Sequence, residues 1–339
     1  VHHEVEVIVT NPLPFVVDEP SQIGEARRRI LDLAVSTGLD AERQGRLALV
    51  VNELASNLVK HGGGGQLLVR TVGASVEVLA IDRGDGMANL AECFRDGYST
   101  GGSPGTGLGA VQRLASLVDV YTMRPGGTAI VARVSPSARR GARPVTLEVG
   151  TVTVPKAGEA VCGDGFAVAD DQECPSLMVV DGLGHGLGAA DASRLAVRVF
   201  EAAPGLPPSA QITAIHDALR GSRGAAVSVA RIDRSRGVVT YSGLGNVAGT
   251  IVADGTSRHM VSANGTAGHD AGRIHEFTYP WSEDAVLVMH SDGLSSRWQI
   301  ERYPGLPSRH PTLVAGVLYR DWCRERDDVT VVVARLRAP

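Results

Sequence analysis

Apolar positions recur every three or four residues in two stretches near the start of the chain. Ile23, Ala26, Ile30 and Ala34 share one side of a predicted helix that opens at Ser21, with Arg27, Arg28 and Arg29 forming a solvated face. Leu47, Val50, Val51, Leu54 and Leu58 form a second core-facing stripe. Shorter apolar runs predict strands at 66–71 and 75–81, joined at Gly73-Ala74, and residues 5–9 alternate like an edge strand. Leu108, Val111, Leu114, Ala115 and Val118 predict another helix. Residues 135–144 carry Pro, Gly and Arg without periodic apolar positions and read as a linker. Beyond them the pattern changes. β-like runs recur at 145–154, 165–169, 177–180, 225–232, 237–243, 250–253, 285–290 and 329–336, and only 189–203 and 209–220 read as helices. Many strands with few helices predict an α+β layered domain.

Composition sharpens this in three places. A chain of 339 residues exceeds what one hydrophobic core usually serves, so two domains are expected, at 1–135 and 145–339 with 136–144 between them. A net charge of −4 with no long basic run argues against a nucleic-acid partner. No apolar run is long enough to span a bilayer, so no membrane partner is expected. The four cysteines show no close pairing motif, which suits a reducing compartment; a cytoplasmic location is expected.

Polar groups stand beside the second helical stripe. Glu53, Asn57 and either Lys60 or His61 fall at i, i+4 and i+7 or i+8, on a second face of the same helix. A carboxylate there can accept a hydroxyl proton, and an amide oxygen can bind Mg²⁺. The strand at 75–81 ends in Asp82-Arg83-Gly84-Asp85-Gly86, and Gly101 to Gly109 is a glycine-rich stretch feeding the next helix. Glycines at a helix start present free N–H groups to a polyphosphate. Gly105, Gly107 and Ala110 also satisfy the dinucleotide pattern. That pattern must follow a strand directly, and here a loop-like segment precedes it, so a Rossmann domain is excluded.

Glu53-x-x-x-Asn57, Asp82-x-Gly84-x-Gly86 and Gly105-x-Gly107-x-Gly109 occur in the order and spacing of the GHKL ATPases, which residues 1–135 resemble. The tighter likeness, carried by residues 52–57 and 96–102, is to the RsbT/RsbW serine-kinase branch. The resemblance implies an α/β sandwich of the Bergerat type with ATP between helices and a mixed sheet. It implies Glu53 as general base, Asn57 as Mg²⁺ ligand and Asp82 on the adenine amino group. The segment Gly105, Thr106, Gly107, Leu108 and Gly109 becomes a phosphate lid, with Thr128 near adenine. Lys60, His61, Gly84 and Gly86 complete the ATP-binding set.

In the second half, acids fall at the ends of the predicted strands. Asp164 precedes one, Asp181 ends another in Val179-Val180-Asp181-Gly182-Leu183-Gly184-His185-Gly186, Asp292 follows a third, and Asp327-Asp328 open the last. Acids gathered on one rim of a sheet can hold two Mg²⁺ or Mn²⁺ ions, and neither histidines nor cysteines show zinc-like spacing. The ordered motifs G-D, V-D-G-x-G-H-G, S-D-G and D-D-V-T resemble the SpoIIE-type metal-dependent phosphatases, relatives of type 2C enzymes with an αββα fold, and among them RsbX. The resemblance implies metal binding by Asp181, Asp292 and Asp327, by the Gly182 carbonyl, and by Asp164 at the second ion; choosing Asp327 over Asp328 rests on it alone. His185 is read as a turn residue. One departure stands out: where many members carry A-G-H-N-P, this chain has Ser242-Gly243-Leu244-Gly245-Asn246-Val247.

Together the resemblances imply a switch kinase fused to its opposing phosphatase. The implied partner is a small STAS-domain phosphoprotein, with a sigma factor as the alternative partner and a homodimer through the N-terminal domain. A nucleotide-gated binding module without catalysis is a third reading, and retention of Glu53, Asn57 and the aspartates argues against it. Covalent linkage keeps one activity at high effective concentration near the other.

Overall fold

The computed structural model describes residues 13–94, 107–136 and 147–337. These fall into two compact units: residues 13–136 together with Ser308–Arg320, and residues 147–307 together with 321–337. The predicted strand at 5–9, Gly105, Thr106 and nearly all of the predicted linker lie outside the described residues. No helix among the described residues is long and apolar enough to cross a membrane.

The first unit is a five-stranded sheet in the order β1-β2-β3-β5-β4, made by β1 (Leu13–Val16), β2 (Gln66–Val72), β3 (Ser75–Ile81), β4 (Leu117–Thr122) and β5 (Thr128–Val134). Its pairings are all antiparallel, whereas the resemblance implies a mixed sheet. Helices α1 (Pro20–Ser36), α2 (Ala41–Asn57), the short α3 (Leu90–Cys93) and α4 (Gly107–Leu114) complete it. Period-two alternation fixes what each strand residue faces. Val76, Val78 and Ala80 join Leu47, Val50, Val51 and Leu54 of α2 in one core, so the next even position, Asp82, leaves the sheet toward the helix layer.

The odd positions of β3 carry the opposite face. Glu77 is buried there between Arg70 of β2, at 2.7 Å, and Arg133 of β5. Thr312 Oγ donates to Glu77 Oε1 at 2.8 Å and accepts from Arg70 Nη2 at 3.0 Å. Thr312 belongs to α7 (Pro311–Trp322), which the apolar pattern did not predict. Its residues 311–320 are buried without interruption, so no polar stripe marks the helix in the sequence. The predicted helix through Val118 also stops early: α4 ends at Leu114, and Val118 lies in β4.

The second unit stacks two antiparallel five-stranded sheets. One runs β13-β10-β9-β8-β7, from β7 (Asp164–Ala169), β8 (Ser176–Gly182), β9 (Ala225–Asp233), β10 (Val238–Leu244) and β13 (Phe277–Pro280). The other runs β12-β11-β14-β15-β6, from β6 (Leu147–Val154), β11 (Ala248–Ala253), β12 (Thr256–Met260), β14 (Val286–His290) and β15 (Val329–Leu336). Leu177 and Val179 of β8 face the other sheet, packing with Leu287, Met289, Val332 and Ala334. Met178 and Val180 face α5 (Leu187–Ala202) and α6 (Pro208–Ala218), packing with Ala196, Phe200, Ile212 and Ile215. A run buried on both faces reads as continuously apolar, as 177–180 does.

Candidate active sites

In the first unit, Glu53 and Asn57 stand half-buried one turn apart at the end of α2. Neither side chain bonds to another described residue, which leaves both free for a ligand. Lys60 and His61 do not continue their face. The chain widens after Asn57 into a π-helical turn, Leu58–Gly62, and both side chains are exposed on it, so the expected i+7 and i+8 spacing is lost. Such turns recur at functional sites.

That turn runs against the loop after β3. A Cβ at Gly84 would lie 2.7 Å from the His61 carbonyl oxygen and 3.0 Å from Gly62 Cα, so only glycine lets the segments meet. Asp82 Oδ1 accepts from the N–H groups of Gly84 at 2.9 Å and Thr128 at 3.0 Å. Burial raises its pKa against those two bonds and the nearby Arg320 and His61 charges. Arg320 Nη1 donates to the Asp82 carbonyl at 3.1 Å. Thr128 thus has a second use: its backbone aims the Asp82 carboxyl, while its hydroxyl meets that of Thr122 at 3.1 Å. Gly86 adopts a left-handed φ of 75° in the same loop. Gly107, Leu108 and Gly109 form the first turn of α4, with Leu108 and Gly109 buried.

In the second unit, the inter-sheet core gives way to acids at one end. Asp164 continues the set Phe166 and Val168, Asp181 continues Leu177 and Val179, and Asp328 continues Ala334, Val332 and Thr330. Asp164 and Asp181 are directly paired across β7 and β8. Ser291 donates to Asp164 Oδ2 at 2.6 Å, and the backbone N–H of Lys156 donates to Asp328 Oδ1 at 2.8 Å. Asp292 and Asp327 lie at the rim, where Asn246 Nδ2 donates to Asp292 Oδ2 at 2.7 Å. Gly182 is buried, and its N–H bonds to the Gly163 carbonyl at 3.2 Å.

The electrostatics are those of crowded like charge. Burial, then the charges of Asp292, Asp327 and Asp328, push Asp181 up to about 7. Burial and Asp181 raise Asp164 as well, and burial and Asp327 raise Asp292. Asp164 Oδ1 and Asp328 Oδ2 are buried without any hydrogen-bond partner. Among the described residues no three acid, His or Cys side chains close into a ready ligand cage. Orphaned carboxylate oxygens in a mutually repelling cluster nonetheless suit a hard divalent cation.

Two residues of this site escaped the sequence reading: Asn246 lay within the motif that departs from the family pattern, and Ser291 was passed over beside Asp292. Asp328, named there beside Asp327, is in phase with the inward set Thr330, Val332 and Ala334 of β15. His185 is exposed and pairs with Glu159 at 2.6 Å, in keeping with a turn residue.

A family model described as a histidine kinase-like ATPase domain matches residues 16–134, and one described as Stage II sporulation protein E (SpoIIE) matches residues 171–337. The serine/threonine-protein kinase RsbT of Bacillus subtilis (strain 168) is 30% identical over 111 residues, covering 32% of this chain and 84% of RsbT. The phosphoserine phosphatase RsbX of the same strain is 28% identical over 142 residues, covering 41% of this chain and 71% of RsbX. A chain solved in work on the bacterial stressosome superposes with a TM-score of 0.52 at 28% identity, covering 56% of this chain and 99% of that one. This chain belongs to the RsbT-like kinase family through its histidine kinase-like ATPase domain, and its residues 171–337 carry a SpoIIE domain.

Proposed function

We propose that the chain is a bifunctional partner-switching regulator that phosphorylates and dephosphorylates Ser or Thr on a STAS-domain protein. In the kinase half, Glu53 accepts the proton of the substrate hydroxyl as that oxygen bonds to the γ-phosphorus of ATP and the bond to ADP breaks. Asn57 would hold Mg²⁺, Asp82 would hold the adenine amino group, and Gly107, Leu108 and Gly109 at the start of α4 would offer their N–H groups to the phosphates. The free side chains of Glu53 and Asn57 and the doubly held Asp82 carboxylate support these roles.

In the phosphatase half, Asp164, Asp181, Asp292 and Asp327, with the Gly182 carbonyl, would hold two Mn²⁺ or Mg²⁺ ions. Such a pair supplies a polarised phosphoryl group and a hydroxide near neutral pH. Ser291 orients Asp164, Asn246 orients Asp292, and Asp328 adds negative charge behind them. The observation that carries the reading is the pair of orphaned buried oxygens, Asp164 Oδ1 and Asp328 Oδ2, inside a cluster of raised carboxyl groups.

The test is Mn²⁺-dependent phosphate release from a phosphorylated STAS protein by the full chain, with loss expected in Asp181→Asn. Release that needs no divalent metal would remove the phosphatase mechanism. For the kinase half, Glu53→Ala is expected to keep ATP binding and lose phosphoryl transfer; transfer left intact would remove the base assignment. Capture of a sigma factor by the full chain, with no phosphorylation of a STAS protein, would replace the switch with sequestration.

A further inference from the structure

Arg223 is a cation set against the glycine turn that follows Asp181 and spent on none of the acids. It lies in the loop between α6 and β9, and that loop is bound to the catalytic corner. The Leu183 N–H donates to the Gly224 carbonyl at 3.0 Å, and Arg223 Nη1 donates to the His185 carbonyl at 3.3 Å. His269 Nε2 reaches the Arg223 carbonyl at 2.9 Å and fixes the loop from its other side. The guanidinium stem rests on the start of α5: a Cβ at Gly188 would lie 2.6 Å from Arg223 Nε and 2.8 Å from Cζ, and one at Gly184 would lie 3.4 Å from Nη1. The glycine at 188 is what allows the arginine to lie there.

Gly184 connects this arginine to the acids. A Cβ at Gly163 would lie 2.7 Å from Asp328 Oδ2 and 3.6 Å from the Gly184 carbonyl oxygen, so the turn that carries Arg223 on one side meets the cluster on the other. Among the described residues no carboxylate pairs with Arg223, and its side chain is exposed. Glu159, which lies beside the turn at Gly186, is taken by His185. A planar guanidinium with unused donors matches the oxygens of a phosphoryl group, which it can take in a bidentate fork. Leu183 and Leu187, 45% and 68% exposed on the same turn, add apolar surface of the kind a protein substrate can cover.

We propose that Arg223 binds the phosphoryl group of the phosphoserine or phosphothreonine substrate as it enters the acidic site. The proposal rests on the phosphatase reading. It predicts an effect on substrate capture rather than on metal loading, because Arg223 touches none of the acids.

The test uses the Mn²⁺-loaded full chain with a phosphoserine peptide of neutral sequence and its acid-flanked counterpart, measuring both binding and hydrolysis for wild type, Arg223→Ala and Arg223→Lys. Arg223→Ala is expected to weaken binding and raise KM about tenfold or more on both peptides, the loss of one or two charge-assisted hydrogen bonds. The change in kcat is expected to be small, Mn²⁺ half-saturation to stay unchanged, and Arg223→Lys to recover part of the loss. Unchanged peptide affinity in Arg223→Ala overturns the proposal, and so does a loss confined to the acid-flanked peptide. Wild type that binds the peptide through Arg223 but does not hydrolyse it sinks the phosphatase reading and leaves the binding role standing.

Discussion

Asp164 and Asp181 stand opposite each other across the β7–β8 ladder, two carboxyl groups on one face where the apolar interlayer ends. Like charges directly opposite on a ladder oppose folding. Here Asp164 is buried and Asp181 half-buried, and the result is a pair held above the usual carboxylate range. A cation is the natural counterweight.

A carboxyl whose pKa is higher folded than unfolded subtracts stability once ionised, so the metal-free protein loses stability as pH rises from 3.8 through about 7. Mn²⁺ is therefore expected to raise the thermal midpoint more at about pH 7.5 than at about pH 5.5, since it replaces protons. Thermal melts with and without MnCl₂ at both pH values check this; equal shifts would contradict it.

Asp181→Asn removes the charge at the centre of the cluster. Its metal-free midpoint at neutral pH is expected to rise by roughly 2–4 °C for each kcal/mol of repulsion relieved. The same variant is expected to lose the Mn²⁺-induced shift. A variant that melts higher yet is dead as an enzyme would be the signature, read by calorimetry beside a phosphate-release assay.

Asn246→Ala releases Asp292 from its 2.7 Å hydrogen bond. Losing such an orienting partner typically costs about tenfold or more in metal affinity. Titration of Mn²⁺ against activity should show that shift, with the metal-free midpoint nearly unmoved because Asn246 is exposed.

Gly84→Ala forces apart the loop after β3 and the turn at His61–Gly62. ATP affinity is expected to fall on the order of tenfold or more, from a clash of about 1–3 kcal/mol. Equilibrium binding of a fluorescent ATP analogue measures it; unaltered affinity would separate that close approach from nucleotide binding.

Glu77→Gln leaves Arg70 buried without its anion. A loss of about 3–5 kcal/mol in unfolding free energy is expected, as for other broken buried pairs. Burial alone would raise the Glu77 pKa, yet Arg70, Arg133 and His310 hold it well below 4.5. Its contribution is therefore complete above that value and is lost as pH falls toward the folded pKa, which chemical denaturation at neutral and acid pH would reveal.

Most of the scaffold was legible because its periodicities were clean. Leu47 to Leu58 marked α2, and Ser75–Ile81 and Val329–Leu336 marked their strands to the residue or nearly so. The acids at strand ends were visible as punctuation. What the pattern could not convey was which acids turn inward, since that depends on the phase each strand inherits from a core on the far sheet; Asp328 is inward by this rule and Asp327 is at the rim. Lys60 and His61 were misplaced because nothing in 58–62 announces a widened helical turn. The helix 311–322 was missed for the opposite reason to a disordered segment: it is buried all round, and an amphipathic pattern exists only where one side meets water.

That helix changes how the protein can be taken apart. Residues 308–320 group with the N-terminal sheet, while the chain on both sides of them belongs to the phosphatase unit. Scissors placed at the linker expected from the sequence would therefore not follow the seam. A fragment ending near residue 135 would present Arg70, Glu77 and Arg133 to solvent on a sheet face whose cover it had left behind, and its stability and stickiness would report the cut rather than the enzyme.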